Sequence, residues 1–566
     1  MPAASSSSPP PTGTGTGAGI TKLTNCRLAI NGALIPSDLF INSQTGKIIE
    51  PSADDTPIVP DINIDLRNRI VSPGLIDCQL NGAFGFNFSS FTSSAEYVQN
   101  VHTLNTKLIR TGVTSYLPTL TSQTPELYHF VLPHLGPLPL ISDTSTNTSN
   151  VTTSPSTFNS RFTLSNDNLN SFRPRLHNIN RKTHRNPQNG SESLGAHVEG
   201  PFLSPFQHGI HDLSVLRTAN SWKDVEQVYG SSHLSNGAIK MITVAPELGS
   251  ITALIPSLVS NGIVVSLGHT ECTFCEAAAA VSGGAKMITH LFNAMRPLHH
   301  REPGLFGLLG APEEQQKRGL YYGVIADGIH LHPPVVSLAY NLHPQGFILV
   351  TDAMHLVGME DGKYEWVNGG KTEWIEKRGS KLCIVEPPPS ASPSPSPSSS
   401  SSTASASPLE SALSSGTSLQ GEGHQNGNVN VDGQAQSAKM NGRNENGEVK
   451  DGQKKKWGGI AGSSATLLEC VNNLLQWTGM SVPKALASVT STPAEMLGLK
   501  GVKGSLQPGA DADLVVFEEV EVEVEDLLGG GGRVKRKQLV VDEVWKFGVR
   551  VFVRDGNGDG TECFGG

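Results

Sequence analysis

Eight short runs of apolar and β-branched residues recur along the chain: 70–77 (IVSPGLID), 113–117 (VTSYL), 194–198 (LGAHV), 239–244 (IKMITV), 263–267 (IVVSL), 286–290 (KMITH), 321–326 (YYGVIA) and 347–351 (FILVT). Several of the gaps between them read as helix, as in SSAEYVQNVHTLNTKLIRTG, GSITALIPSLVSNG and CTFCEAAAAVSGG. Strands that are apolar on both faces must be covered on both sides, and strand–helix alternation supplies that cover around a parallel sheet. Eight such units predict a (β/α)8 barrel of the TIM-like kind, whose functional residues gather at the C-terminal ends of the strands.

The remaining sequence divides around that frame. Hydrophobic residues make up 37% and charged residues 16%, both low, because long polar tracts dilute a normal globular part. Composition predicts a disordered tail over 1–18, a low-complexity insertion over about 138–192 and a disordered insertion over 386–456, since Ser, Pro, Asn and Gly cannot bury enough apolar surface to offset the entropy of ordering them. The barrel then occupies 69–385, and 457–502 supplies its C-terminal helices. Alternating, turn-rich sequence at 19–68 and 503–566 predicts two halves of one small β-sandwich domain formed from both ends of the chain.

A net charge of −9 argues against nucleic acid or an anionic membrane as the main partner. No apolar run approaches the roughly 20 residues that span a bilayer, and the N-terminus lacks the basic and apolar regions of a secretory signal. Seven cysteines, odd in number and scattered, fit a reducing compartment, so the expected location is the cytoplasm.

Polar residues cluster at the predicted strand ends. Strand three ends in His197 and Glu199, strand five in His269 and strand six in His290. Strand seven ends in Asp327 and His330, and strand eight in Asp352. A single barrel histidine is ordinarily a packed, hydrogen-bonded residue, but ionisable groups at five of eight strand ends share one mouth. A glutamate with two histidines is a three-ligand pattern for a divalent ion that leaves a fourth position for water. Strand one ends in Gln79 and Asn81, two residues apart and so on one face, where many metal hydrolases carry two histidines. The amides either contact water or substrate or simply pack the barrel mouth. Cys272 and Cys275 lack a second cysteine pair and read as thiols on the first turn of a helix.

PGLIDCQLNGAFG, GAHVEGPFLSPFQHGIH, LGHTECT, THLFNAMRPLHHREPGLFG, IADGIHLHP, LVTDA and GSLQPGADADLVVF together resemble the N-acetylglucosamine-6-phosphate deacetylases of the amidohydrolase superfamily. The resemblance implies one divalent ion per chain, zinc foremost, on Glu199, His269 and His290, with Asp352 as catalytic acid and base. It further implies that His330 and His211 bind or polarise a small sugar-phosphate substrate. Asn293 and the main chain at Ala294 would help hold that substrate, and Arg301 would take its phosphate. The assembly it implies is a homodimer. Members with Gln and Asn on strand one use a single ion, so Gln79 and Asn81 would contact water or substrate. The implied reaction is hydrolysis of N-acetyl-D-glucosamine 6-phosphate to D-glucosamine 6-phosphate and acetate, in amino-sugar catabolism. A dihydroorotase-like amide hydrolase is disfavoured because VAPELG after strand four offers no lysine to bridge two metals, Lys240 lying too early. A catalytically dead scaffold is disfavoured because the three ligands and Asp352 are all present.

Overall fold

The computed structural model describes residues 19–51, 58–137, 186–311, 319–368, 371–387, 460–525 and 532–554. The tail 1–18 and most of the two predicted insertions lie outside them. Eight parallel strands form a barrel: β1 (Leu75–Leu80), β2 (Val113–Leu120), β3 (Ala196–Glu199), β4 (Ile239–Val244), β5 (Val264–Leu267), β6 (Met287–Ile288), β7 (Tyr321–Ile325) and β8 (Phe347–Val350). Each pairs with the next. The ring closes just past β8, where Leu80 bridges Ala353 and the Asp352 N–H donates to Gln79 O at 2.9 Å.

Both faces of these strands are buried, as the unbroken apolar runs require. Cys78, Leu117, Met241, Met287, Ile325 and Ile348 fill the interior, while Leu75, Leu120, Val265, Ile288 and Leu349 pack outward in the main core. Thr273 and Thr466 start the helices Phe274–Ser282 and Leu467–Thr478 through reciprocal capping boxes with Glu276 and Glu469, each cap worth about 1 kcal/mol. Cys272 falls just before that first cap and is buried, while Cys275 lies on the first turn and is exposed. Only the second thiol therefore follows the sequence expectation.

The first apolar run, 70–77, straddles two sheets. Its beginning ends the strand Ile62–Pro73, its end begins β1, and Gly74 separates them, where a Cβ would overlap the Thr114 side chain at 2.1 Å. Ile62–Pro73 lies in an eight-stranded sheet drawn from both ends of the chain. It runs parallel to Ile20–Ile30 on one side and antiparallel to Leu514–Glu525 on the other, and Arg533–Lys546 and Val549–Val553 extend the sheet. Where this sheet meets the barrel, Lys546 donates to Thr114 O (2.9 Å), Glu192 (2.7 Å) and Asp513 (2.9 Å), and Lys503 reaches Glu192, Asp511 and Asp513. Glu192 falls within the predicted low-complexity insertion, yet the short strand Glu192–Ser193 pairs in parallel with β2, so the chain has rejoined the barrel by then.

A further four-stranded antiparallel sheet follows β8, formed by Gly362–Asn368, Lys371–Arg378, Lys381–Val385 and Ile460–Ser463. Its buried side chains Trp366, Ile375 and Leu382 pack with Met354 and Leu356, and Ile210 rests against that cluster.

Candidate metal and substrate site

The ends of β3, β5 and β6 bring three acceptors to one point. Glu199 Oε1 lies 3.1 Å from His269 Nε2 and 3.0 Å from His290 Nε2, and the two imidazole nitrogens are 3.1 Å apart. All three side chains are buried. His269 turns its other nitrogen to Gln207 O at 2.8 Å. A carbonyl only accepts, so Nδ1 carries the proton and Nε2 presents a lone pair to a carboxylate oxygen. Lone pairs that close together repel unless a cation sits among them, and a glutamate with two histidines is a donor set that suits zinc and other divalent ions. The residues therefore fit a metal ion. Burial alone would lower the basicity of His290, but the Glu199 and Asp352 carboxylates overcome that and raise it.

Asp352, just past β8, stands across from this triad. Its Oδ1 accepts from Gln79 Nε2 at 3.0 Å and Asn81 Nδ2 at 2.7 Å, and Gln79 Nε2 also donates to Glu199 Oε1 at 3.1 Å. Burial and the Glu199 charge push the Asp352 carboxyl up, against the pull of His290, His330 and the Asn81 amide. The strand-one amides thus reach carboxylates, partners that the sequence expectation of water, substrate or packing at the barrel mouth did not name.

His211, on the loop after β3, stacks edge-on against His269 with ring centroids 4.5 Å apart. The Ser122 N–H donates to its Nδ1 at 3.0 Å, and burial keeps the ring neutral. Its proton therefore lies on Nε2, which makes it a donor. The loop carrying it is braced by Lys371, whose ammonium meets Asp212 at 2.7 Å. His330 is oriented by Asp327, which accepts from its Nδ1 at 2.7 Å and from the main-chain N–H groups of Ile329 and His330 at 2.9 Å. Asn293 donates to His290 O at 3.2 Å, and Ala294, with φ of 47°, accepts from the Thr270 N–H at 3.2 Å. Arg301 stands apart: it is exposed, and its guanidinium has no carboxylate partner among the described residues.

His197 belongs to the layer beneath. It is fully buried, bonded to Thr243 Oγ1 at 2.7 Å, and burial lowers it to about 4, so it is a neutral core residue. Sequence reasoning gave no role to Gln207, Ser122, Asp212 or Lys371. Gln207 acts through its carbonyl and so has no side-chain signature; the DxxH spacing of Asp327 and His330 was legible. His269, His290 and Asp352 have φ of 50°, 27° and 48°, left-handed values that cost non-glycine residues energy and concentrate at working sites.

A model of the amidohydrolase family matches residues 465–552. An N-acetylglucosamine-6-phosphate deacetylase of Danio rerio is 31% identical over 524 residues, covering 92% of this chain and 98% of the relative. The solved N-acetylglucosamine-6-phosphate deacetylase of Pasteurella multocida superposes with a TM-score of 0.60 at 21% identity, covering 94% of this chain and 99% of that one. A Mycobacterium smegmatis deacetylase variant, in complex with N-acetyl-D-glucosamine-6-phosphate, has a TM-score of 0.58 at 21% identity over 94% of this chain and 98% of its own.

Proposed function

The chain belongs to the N-acetylglucosamine-6-phosphate deacetylases of the amidohydrolase superfamily, and from that premise we propose how its residues divide the work. The reaction is metal-dependent hydrolysis of N-acetyl-D-glucosamine 6-phosphate to D-glucosamine 6-phosphate and acetate. The observation that carries the assignment of roles is the convergence of Glu199, His269 and His290 beside Asp352, with Gln79 bonded to both carboxylates.

Glu199, His269 and His290 hold one divalent ion, for which zinc is our choice. An ion there supplies Lewis-acid activation of water at neutral pH. Asp352 accepts the proton as the water oxygen bonds to the acetyl carbon. When the C–N bond breaks, Asp352 returns that proton to the departing nitrogen, leaving acetate and a free amine. His330, fixed by Asp327, stabilises the acetyl oxygen as negative charge grows on it. His211 offers its Nε2–H to the substrate, and Asn293 with the Ala294 main chain steadies the sugar. Arg301 provides a forked guanidinium for the phosphate. Its lack of a carboxylate partner among the described residues fits a role across a homodimer interface. No helix among the described residues is long and apolar enough to cross a membrane, and the scattered cysteines support a cytoplasmic location.

Purified protein given N-acetylglucosamine 6-phosphate, with acetate release and bound metal both measured, tests this reading. Metal-replete protein that releases no acetate would sink it.

A further inference from the structure

Gln79 and Asn81 sit at the end of β1 with both amides directed at carboxylates. Gln79 is 2% exposed and Asn81 6%, so little of either is left to touch a substrate. The two protons of Gln79 Nε2 divide between Glu199 Oε1 and Asp352 Oδ1, and Asn81 Nδ2 adds a second bond to that same Oδ1. Asp352 Oδ2 makes no hydrogen bond among the described residues. The carboxylate is therefore asymmetric, with one oxygen bound twice and the other open.

The anchor is rigid on both sides. Main-chain bonds run from Asp352 N–H to Gln79 O (2.9 Å) and from Asn81 N–H to Ala353 O (2.8 Å), so the strand end carrying the amides and the segment carrying the acid move as one piece. Two carboxylates that share one small cavity also repel each other, and the N–H dipoles between them offset that repulsion.

We propose that Gln79 and Asn81 are positioning residues for the reaction. They lock Asp352 through Oδ1 so that Oδ2 alone faces the reacting atoms, and they supply the N–H counter-charge that lets Glu199 and Asp352 stay close. This rests on Asp352 being the acid and base.

Asn81 is the cleaner probe, because among the described residues its side chain bonds only to Asp352. Asn81→Leu removes the donor at similar volume, and Asn81→Asp keeps the shape while replacing the donor with a carboxylate. Both are made in wild type and in an Asp352→Asn background, with metal content and melting temperature recorded to establish folded, loaded protein. In the wild-type background kcat should fall roughly 10- to 100-fold, the scale of a misplaced catalytic group, with KM and metal content unchanged. In the Asp352→Asn background neither variant should lower kcat further, since a residue that acts only through Asp352 has nothing left to position. Losses that multiply across the two backgrounds, or a raised KM with normal kcat, would overturn the proposal and leave the assignment of the base intact. Wild-type kcat in Asp352→Asn alone would overturn both. Should Asn81→Leu fail to fold, Asn81→Asp carries the same comparison.

Discussion

Replacing Asp352 by asparagine isolates proton transfer from everything else the residue does. The Asp352 backbone lies at φ 48°, a region that asparagine tolerates better than other non-glycine residues. The side chain's oxygen can still accept from Gln79 and Asn81, at 3.0 and 2.7 Å in the parent. Fold and metal content should therefore persist, and what disappears is the free oxygen able to take a proton. General acid and base catalysis is worth about 10² to 10⁴ in rate, or roughly 3–5 kcal/mol of barrier at 1.36 kcal/mol per tenfold. Steady-state acetate release should show kcat reduced by that factor at an unchanged KM, with metal per chain unchanged by elemental analysis. Asp352→Ala should do worse than lose the base, because on a strained backbone it takes the acceptor from the buried Asn81 amide and leaves Gln79 Nε2 with Glu199 alone. A near-normal kcat for Asp352→Asn would refute the reasoning at its root.

Alanine at Glu199, His269 or His290 should each abolish tight binding of what we expect to be about one divalent ion per chain, measured by equilibrium dialysis and elemental analysis. Arg301→Ala should raise KM for the phosphorylated sugar about 10- to 150-fold, the value of a desolvated charge-assisted bond of about 1.5–3 kcal/mol, without changing turnover of unphosphorylated N-acetylglucosamine; equal effects on both sugars would remove Arg301 from the phosphate site. At the junction of barrel and terminal sheet, Lys546→Met should lower the urea midpoint, since it strips one of two ammonium partners from the buried Asp513 and the half-buried Glu192 while Lys503 remains, and activity per folded chain should be retained. In that cluster burial works to raise Glu192, but Lys503 and Lys546 bring it down to about 2 from its ordinary 4.5. Its contribution to stability is therefore present above about 4.5 and lost as pH falls towards 2, so Glu192→Gln should flatten the acid limb of a stability–pH curve.

The barrel, and the meeting of Glu199, His269 and His290 at its mouth, were readable because both follow from short-range pattern. Unbroken apolar runs marked strands buried on two faces, and five of the eight ended in ionisable residues. Less was readable where a role depends on distant chain. Nothing near Gln79 or Asn81 announces that their amides would meet Asp352, 273 and 271 residues away. The sheet after β8 shows weak alternation in KYEWVN and KTEWIEK, but its fourth strand, Ile460–Ser463, lies beyond a polar tract that hides the pairing. It meets the site through Lys371 and Asp212, 159 residues apart, and through Ser463, whose N–H donates to Asp352 O at 3.4 Å.

The terminal sheet sets the order in which a newly made chain can finish folding. Arg27 pairs with Glu519, 492 residues later, and Ile62–Pro73 finds its outer neighbour in Leu514–Glu525. All eight barrel strands emerge from the ribosome before that neighbour does. The first strands made must therefore wait through nearly all of synthesis with an unpaired edge, at the roughly 5–20 residues per second of translation. Unpaired edges template aggregation. In this protein the exposure to chaperones, and to misassembly in a C-terminally truncated product, falls on the N-terminal strands rather than on the barrel that carries the chemistry.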